Sequence, residues 1–184
     1  MRPKTKLVLY TIRGGEVSRM HTVPHIGEYS VASHSYGVVS LILALHPQPS
    51  VALIQTALWH DAPEHYTGDV PAHAKWDFPE IAEAMDHAES AIEEEFNCIP
   101  LNELRPADIE WLKACDGFEL WLWCRSQLRL GNTRARIVME RIEARFHQKW
   151  ATIPVPVQEV YTDLRREDGD YGKETDDDRY LNKA

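Results

Sequence analysis

The sequence predicts an all-α fold. Apolar residues recur at the three- and four-residue spacing of a helix through five segments, whereas the alternation typical of half-buried strands is nearly absent. Glycine and proline residues fall between these segments. The chain has 184 residues, of which 43% are hydrophobic and 27% charged, as in an ordinary globular protein. We therefore expect one domain over residues 1–153, built as a bundle of about five to seven helices.

The first half of the chain contains two predicted helices. Residues 7–12 form a short apolar run that is compatible with a strand or with one helical turn. Residues 30–45 have a helical apolar period, and the prolines that follow end this helix. A second periodic segment covers residues 51–60, and Gly68, Asp69 and Pro71 predict a loop after it.

The second half contains three more predicted helices and a polar end. Apolar residues keep the helical period over residues 79–96, 107–130 and 133–150. Beyond residue 153 the composition changes, and residues 163–179 contain eight acidic and four basic side chains. Such charge runs are usually solvated. We expect residues 154–184 to form an acidic tail that is partly disordered or packed on the surface.

Charge and cysteine content exclude several classes of function. The net charge of −9 argues against stable binding to a long nucleic acid, whose affinity for proteins depends on phosphate neutralisation. Cys98, Cys115 and Cys124 show no C-x-x-C spacing and are expected to be reduced thiols in the core of a cytoplasmic protein. We expect neither a membrane span nor a secretory signal.

Polar residues at apolar positions are the first indication of function. His34 lies on the apolar stripe of its predicted helix, Asp116 on that of the fourth helix, and His60-Asp61 end the apolar run of the second. A carboxylate on a core face is costly unless it is paired or binds a cation. Each residue alone is better explained as a hydrogen-bonded core histidine, a cap or a salt-bridge partner. Together they form a nitrogen and oxygen donor set suited to Mn, Fe, Co or Zn, and the set lacks the cysteines of a structural zinc site.

Further candidate residues surround this donor set. Glu64 follows Asp61 by three positions and shares its side if the helix continues past Pro63, and Asp69 lies in the next loop. One carboxylate could take a proton from a metal-bound water and the other could protonate a leaving oxygen. The alternative is that Glu64 is a surface acid and Asp69 a residue that forms the turn.

Basic residues and histidines flank the same region. Arg19 and Lys75 could hold phosphate oxygens, Arg19 as a planar fork and Lys75 as a point charge. Taken singly, each is better explained as a solvated surface cation. Among the other histidines, His65 and His73 are candidates for contact with a substrate.

These residues resemble a known family. The order His34, His60-Asp61, Asp116 matches the H…HD…D pattern of the HD-domain phosphohydrolases, and the resemblance is greatest to their small 5′-deoxynucleotidase branch. It rests on Arg19 ahead of SHS, then HDAPEHYTGDVPAHAKW, then LKACDGFELWLWCRSQLRLGN. The segment GGEVSRMHTVP is also similar to short phage relatives, some of which are dATP triphosphohydrolases.

The resemblance implies a helical bundle and a set of roles. The implied metal ligands are His34, His60, Asp61 and Asp116. The implied phosphate-binding residues are Arg19 and Lys75, with Met20 and His65 also at the substrate, and Glu64 and Asp69 would serve the attacking water and the leaving oxygen. In several relatives a tryptophan that shapes the sugar and base pocket stands where this chain has Met20.

The resemblance also implies a substrate, a metal and an assembly. We expect a phosphohydrolase of 2′-deoxynucleotide 5′-phosphates that uses Co, Mn, Zn, Fe or Ni, with Mg as a further ion on the substrate phosphates. The phage-like segment favours release of triphosphate from dATP or another dNTP. The alternatives are a 5′-deoxynucleotidase that releases phosphate from dNMPs and a catalytically silent nucleotide-binding module. We expect a dimer or a hexamer. We expect the protein to be cytoplasmic, in the cytoplasm of the host if a phage encodes it.

Overall fold

The computed structural model describes residues 2–96, 99 and 103–171, with the backbone alone for residues 169–171. Within these residues it contains α-helices and no β-strand, which confirms the all-α prediction. The helices are α1 (Pro3–Gly15), α2 (Val31–Leu45), α3 (Val51–Trp59), α4 (Glu64–Thr67), α5 (Ala72–Asp77), α6 (Pro79–Phe96), α7 (Pro106–Arg129), α8 (Ala135–Gln148) and α9 (Val155–Tyr171). None of these described helices is both long and apolar enough to cross a bilayer.

Helix α7 is the central element of the core. It packs against α2, α3, α8 and α9, and its Phe118 and Trp121 are fully buried. Val38 and Ile42 of α2 and Leu53 of α3 complete the same cluster. Each buried side chain of this size contributes roughly 1.5–3 kcal/mol relative to an exposed one. The core therefore fixes α2, α3 and α7 relative to one another, and these are the helices that precede or carry the candidate site residues.

Two serine caps determine where α2 and α3 begin. The Ser30 hydroxyl accepts a hydrogen bond from the Ser33 N–H, and the Ser33 hydroxyl accepts one from the Ser30 N–H. The Ser50 hydroxyl accepts from the Leu53 N–H at 3.0 Å. Such caps satisfy amides that the first helical turn leaves unpaired. The α2 cap places His34 just inside its helix, next to the core.

The structure adds helices to the five that periodicity predicts. The apolar run at residues 7–12, which the sequence leaves undecided, belongs to α1, where a proline at the first helical position has a backbone angle already suited to the helix. The short helices α4 and α5 flank the predicted loop at residues 68–71. A second, smaller cluster of Tyr10, Ala62 and Ile99 packs α1 behind the turn that follows α3.

The first part of the predicted acidic tail is a packed helix. Val157 and Tyr161 of α9 are buried in the main core, and Arg125 of α7 pairs with Glu167 and Asp168. The division of the chain after residue 153 stays a prediction, and residues 172–184 lie outside the described part.

Two of the three cysteines lie in the core, as expected. Cys115 and Cys124 of α7 are buried free thiols, and burial raises the pKa of each to about 12. A thiol with such a pKa is a poor nucleophile and a poor metal ligand at neutral pH. Cys98 lies outside the described residues.

A close approach between α1 and the turn after α3 leads to a stability prediction. A Cβ atom at Gly14 would lie 2.8 Å from the Ala62 Cα and 2.9 Å from its carbonyl oxygen, so Gly14→Ala should destabilise the fold by about 1–3 kcal/mol through overpacking. Helix propensity alone would favour alanine by about 0.5–1 kcal/mol. The measurement is urea unfolding of the purified protein.

The control for this prediction is Ile12→Ala on the same helix. Ile12 is 63% exposed, so its truncation should change the free energy of unfolding by less than about 0.5 kcal/mol. An unchanged or higher stability of Gly14→Ala would contradict the close contact.

Candidate metal centre

Three helical regions bring two histidines and one aspartate to a common point. His34 lies in α2, His60 caps the C-terminus of α3 and Asp116 lies in α7. One donor atom from each of them lies within 4.8 Å of the others. The Nε2 atom of His34 is 3.0 Å and that of His60 3.9 Å from Oδ1 of Asp116. This is a group that could bind a metal ion.

Asp61 adds a second carboxylate to the group. Its Oδ2 atom lies 3.5 Å from Nε2 of His34 and 3.4 Å from Nε2 of His60. The same oxygen accepts a hydrogen bond from Nη1 of Arg19. All four side chains that the resemblance implies as ligands therefore face one small volume, with a cation at its edge.

The environment of Asp116 differs from the expected one. The sequence places it on a core face, but its side chain is 44% exposed, and Ile109 on the same stripe is 40% exposed. The buried face of α7 is the one that carries Cys115 and Phe118. Asp116 is therefore only partly buried, although Leu112, Leu120 and Trp123 of the same stripe pack against the core. His34 is fully buried, as expected.

Hydrogen bonds fix both imidazole rings with Nε2 toward the cluster. Nδ1–H of His34 donates to the Glu119 carboxylate at 2.5 Å, and Nδ1–H of His60 donates to the Ala57 carbonyl at 2.9 Å. Partners of this kind leave the other ring nitrogen as a lone-pair donor and are typical of metal-ligating histidines. Both Nε2 atoms are buried and have no hydrogen-bond partner of ordinary geometry. The donor set fits a divalent cation.

The electrostatics of the cluster also favour a cation. Burial alone would raise the pKa of Asp116, but His34 and His60 hold it well below its usual range. Burial alone would lower the pKa of His34, but Asp116 and Glu119 raise it to about 9. The carboxylates thus attract a proton to the imidazoles, and the same field would attract a divalent ion in place of that proton.

Glu64 and Arg19 lie beside the cluster. Helix α3 ends at Trp59 and a new short helix begins at Glu64. The helix therefore does not continue past Pro63, yet the Glu64 side chain still turns inward. Its side chain is 8% exposed, and Oε1 lies 3.7 Å from Nη1 of Arg19. Burial, and then the charge of Asp61, raise the pKa of Glu64 to about 8. A carboxyl group with such a pKa suits proton transfer near neutral pH.

Asp69 contacts the segment that carries Arg19. Its Oδ2 atom accepts a hydrogen bond from the backbone N–H of Met20 at 2.8 Å. Met20 has a φ of 56°, in the left-handed region that few non-glycine residues adopt. The loop at Met20 and the loop at Asp69 are therefore joined directly.

The described contacts of Lys75 and His65 are with residues outside the four implied ligands. The Nζ atom of Lys75 is 3.4 Å from Oε1 of Glu89 in α6. The ring of His65 lies against that of Tyr66, with the ring centroids 5.0 Å apart. Their roles at a substrate stay predictions.

Sequence reasoning did not identify Glu119 and Tyr29. The Tyr29 hydroxyl donates to the same Oε2 atom of Glu119 at 2.6 Å, so Glu119 accepts from two side chains and orients His34. The signal that could have identified Glu119 in the sequence is its position three residues after Asp116, which places both on the same side of the helix.

We expect Glu119→Gln to weaken metal binding by about 10–100-fold, the usual effect of losing a carboxylate behind a ligating histidine. The amide keeps the shape of the side chain but makes His34 a weaker ligand. Titration calorimetry with Mn on metal-stripped protein measures the effect. Glu110→Gln, at an exposed position of the same helix, is the control. Equal Mn affinities of Glu119→Gln and the unmodified protein would exclude the orienting role.

A family comparison agrees with this geometry. The model of the YfbR-like 5′-deoxynucleotidases matches residues 13–157, which is most of the chain. The chain belongs to this family. The matched region includes every site residue predicted from the sequence and also Glu119.

Individual relatives share parts of the sequence and the fold. A dATP triphosphohydrolase of Salmonella phage PMBT28 is 35% identical over 92 residues, which cover 43% of this chain and 47% of that protein. The chain thus spans about half the length of this relative.

Solved structures share the fold. The cyanophage S-2L HD phosphohydrolase DatZ, bound to dA and one catalytic Zn²⁺ ion, has a TM-score of 0.64 at 23% identity and covers 86% of this chain and 94% of its own. The PH0347 protein from Pyrococcus horikoshii OT3 has a TM-score of 0.60 at 20% identity, and the match covers 76% of this chain and 87% of that protein.

Proposed function

We propose that the protein is a metal-dependent phosphohydrolase of 2′-deoxynucleotide 5′-phosphates, with release of triphosphate from dATP or another dNTP as the favoured reaction. The observation that carries the proposal is the pair of buried, unpartnered Nε2 atoms of His34 and His60 beside two carboxylates. Family membership, the partial match to a phage dATP triphosphohydrolase and a fold shared with a dA-bound, zinc-containing phosphohydrolase support it.

The proposed metal ligands are His34, His60, Asp61 and Asp116. Two imidazoles and two carboxylates without a thiolate suit Co, Mn, Zn, Fe or Ni, and the shared fold with a zinc-containing relative agrees with that range. An ion held by these residues would polarise a phosphoryl oxygen and make water a better nucleophile at neutral pH. The protein's contribution is the fixed orientation of the two imidazoles by Glu119 and by the Ala57 carbonyl.

The neighbouring residues would handle the proton and the phosphate charge. Glu64, buried and next to Asp61, accepts the proton of the attacking water. Arg19 contacts Asp61 and Glu64, and its planar guanidinium can turn to phosphate oxygens and stabilise the charge that develops on the transferred group. Lys75, which is paired with Glu89, would add a second cation when a phosphate chain extends toward α6.

A 5′-deoxynucleotidase is the second candidate. The family description names this activity, and the same ligands and the same base would serve the release of phosphate from a dNMP. The two reactions differ in the length of the phosphate chain and not in the metal chemistry.

The deciding experiment uses metal-stripped protein re-supplied with Mn or Co. dATP, dAMP and ATP are offered separately, and the products are identified by ion-exchange chromatography. Triphosphate from dATP and none from ATP would establish the favoured reaction, whereas phosphate from dAMP would establish the second candidate. No product from a panel of all dNTPs and dNMPs, with either metal, would overturn the proposal and favour the silent nucleotide-binding module.

A further inference from the structure

The carboxylate of Glu119 lies in a narrow space behind His34. The Glu119 side chain is 13% exposed, and its Oε2 atom accepts hydrogen bonds from Nδ1–H of His34 and from the Tyr29 hydroxyl. The two donor atoms lie 3.2 Å apart, so both bonds converge on one oxygen. A glutamate side chain is among those that lose most rotamer freedom when they are fixed. The position of this carboxylate therefore depends on what surrounds it.

Tyr29 is itself firmly placed. It is 4% exposed, and its ring stacks on that of Trp123 in α7, with the ring centroids 4.7 Å apart and an angle of 21° between the planes. Trp123 packs against the main core. The Tyr29 carbonyl accepts from the Arg19 N–H at 2.8 Å, and Tyr29 directly precedes the Ser30 cap of α2. A hydroxyl on a ring held in this way has a fixed position, so it can select one orientation of the Glu119 carboxylate.

Gly37 leaves the space that the Glu119 side chain fills. It follows His34 by three residues, on the same side of α2. A Cβ atom at Gly37 would lie 2.5 Å from Cγ of Glu119 and 3.0 Å from its Oε1. Unstrained contacts between carbon atoms are about 3.5–4.0 Å, so an alanine there would push the carboxylate aside. Because the atoms it would meet belong to a flexible side chain, the two helices need not separate.

We propose that Tyr29 and Gly37 are positioning residues that set the affinity of the metal centre through Glu119. This inference rests on the proposed function, since it concerns a proposed metal ligand. The Tyr29 hydroxyl fixes the oxygen that accepts from His34, and the missing side chain at Gly37 leaves room for that carboxylate. Together they keep Nδ1–H of His34 paired and its Nε2 atom toward Asp116, 3.0 Å away. Carboxylates behind ligating histidines strengthen metal binding in this way.

The first test is Tyr29→Phe, which removes the hydroxyl and keeps the ring on Trp123. We expect the affinity for Mn, measured by titration calorimetry on metal-stripped protein, to fall about three- to tenfold. At saturating Mn, kcat and KM for dATP or dAMP should stay within about threefold, because the backbone carbonyl that accepts from Arg19 remains. Tyr36→Phe, at a 74% exposed position of α2, is the control. Equal Mn affinities of the two variants, or a loss of kcat that saturating Mn does not restore, would overturn the role of Tyr29.

The second test is Gly37→Ala. Helix propensity favours alanine at this position, so urea unfolding should show a fold that is still intact. The Mn affinity should nevertheless fall about 10–100-fold, because the carboxylate behind His34 is displaced. In a Glu119→Ala background there is no carboxylate to displace, so Gly37→Ala should change the Mn affinity less than about twofold. Equal losses in the two backgrounds would show that the alanine acts on α2 itself and would overturn the role of Gly37.

A third measurement needs neither metal nor substrate. In metal-stripped protein with nitrogen-15 in its histidines, NMR follows the exchange of the His34 Nδ1–H proton with water. Exchange should be slow in the unmodified protein and in Tyr36→Phe, and at least about fivefold faster in Tyr29→Phe and in Gly37→Ala. Equal exchange in all four proteins would overturn the positioning roles while leaving the metal centre in place. Failure of the unmodified protein to bind Mn, Co or Zn would instead overturn the metal centre and this inference with it.

Discussion

Replacing His60 by alanine is expected to remove the bound metal and, with it, all measurable turnover. His60 supplies a buried Nε2 atom that has no other partner and lies 3.4 Å from Asp61 and 3.9 Å from Asp116. Without it the remaining donors cannot enclose an ion at the same affinity, and the water loses the Lewis acid that activates it. Elemental analysis after loading with Mn or Co, together with product formation from dATP and dAMP, measures both effects.

The matched control for this variant is His87→Ala. His87 is exposed on α6, so its loss should leave the metal content and the turnover unchanged. Full activity of His60→Ala at the metal content of the unmodified protein would refute the metal centre described above.

Glu64→Gln is expected to keep the metal and lower turnover by roughly a hundredfold or more, the usual contribution of a general acid or base. The amide fills the same volume beside Arg19 and Asp61 but can no longer accept a proton. Because Glu64 is not one of the proposed metal ligands, the Mn or Co content should stay at that of the unmodified protein. The readout is kcat with saturating substrate, measured on protein of known metal content.

Glu80→Gln provides the comparison for Glu64→Gln. Glu80 lies exposed in the first turn of α6, where a lost charge affects neither the metal nor the proton transfer. If Glu64→Gln retained the kcat of Glu80→Gln, Glu64 would be a structural partner of Arg19 and no base.

The helices of the core were predictable because each buries a continuous apolar stripe. Periodicity identified α2, α3, α6, α7 and α8 to within about two residues at most ends, the usual precision of such boundaries. It did not decide α1, because one short apolar run fits a strand as well as a helical turn. The break between α3 and α4 depends on Pro63 and on packing against Tyr10 of α1, a long-range contact that local patterns do not show.

The candidate metal centre was predictable in its members and less so in its environment. His34 and His60 stood out because polar side chains at apolar positions need a partner. The partial exposure of Asp116 was not predictable, since an apolar period does not show how deeply each residue of the stripe is buried. In the sequence, Glu119 and Gln127 look like ordinary polar residues of a helix. Only the fold shows that Glu119 accepts a hydrogen bond from His34 and that Gln127 accepts one from the Ile26 backbone.

Helix α7 carries along one side the ligand candidate Asp116, the residue Glu119 that orients His34, and Gln127, whose carboxamide bonds the Ile26 backbone of the loop between Ser18 and Ser30. Asp116 and Gln127 are eleven residues apart, close to three whole turns of a helix, and Glu119 follows Asp116 by three residues on the same side. One residue inserted between Glu119 and Gln127 would rotate everything beyond it by about 100° and turn Gln127 away from the side of the helix that carries Asp116. The length of this segment is therefore under tighter constraint than the identity of most residues in it, and homologues should differ there by substitution and place their insertions after Asn132.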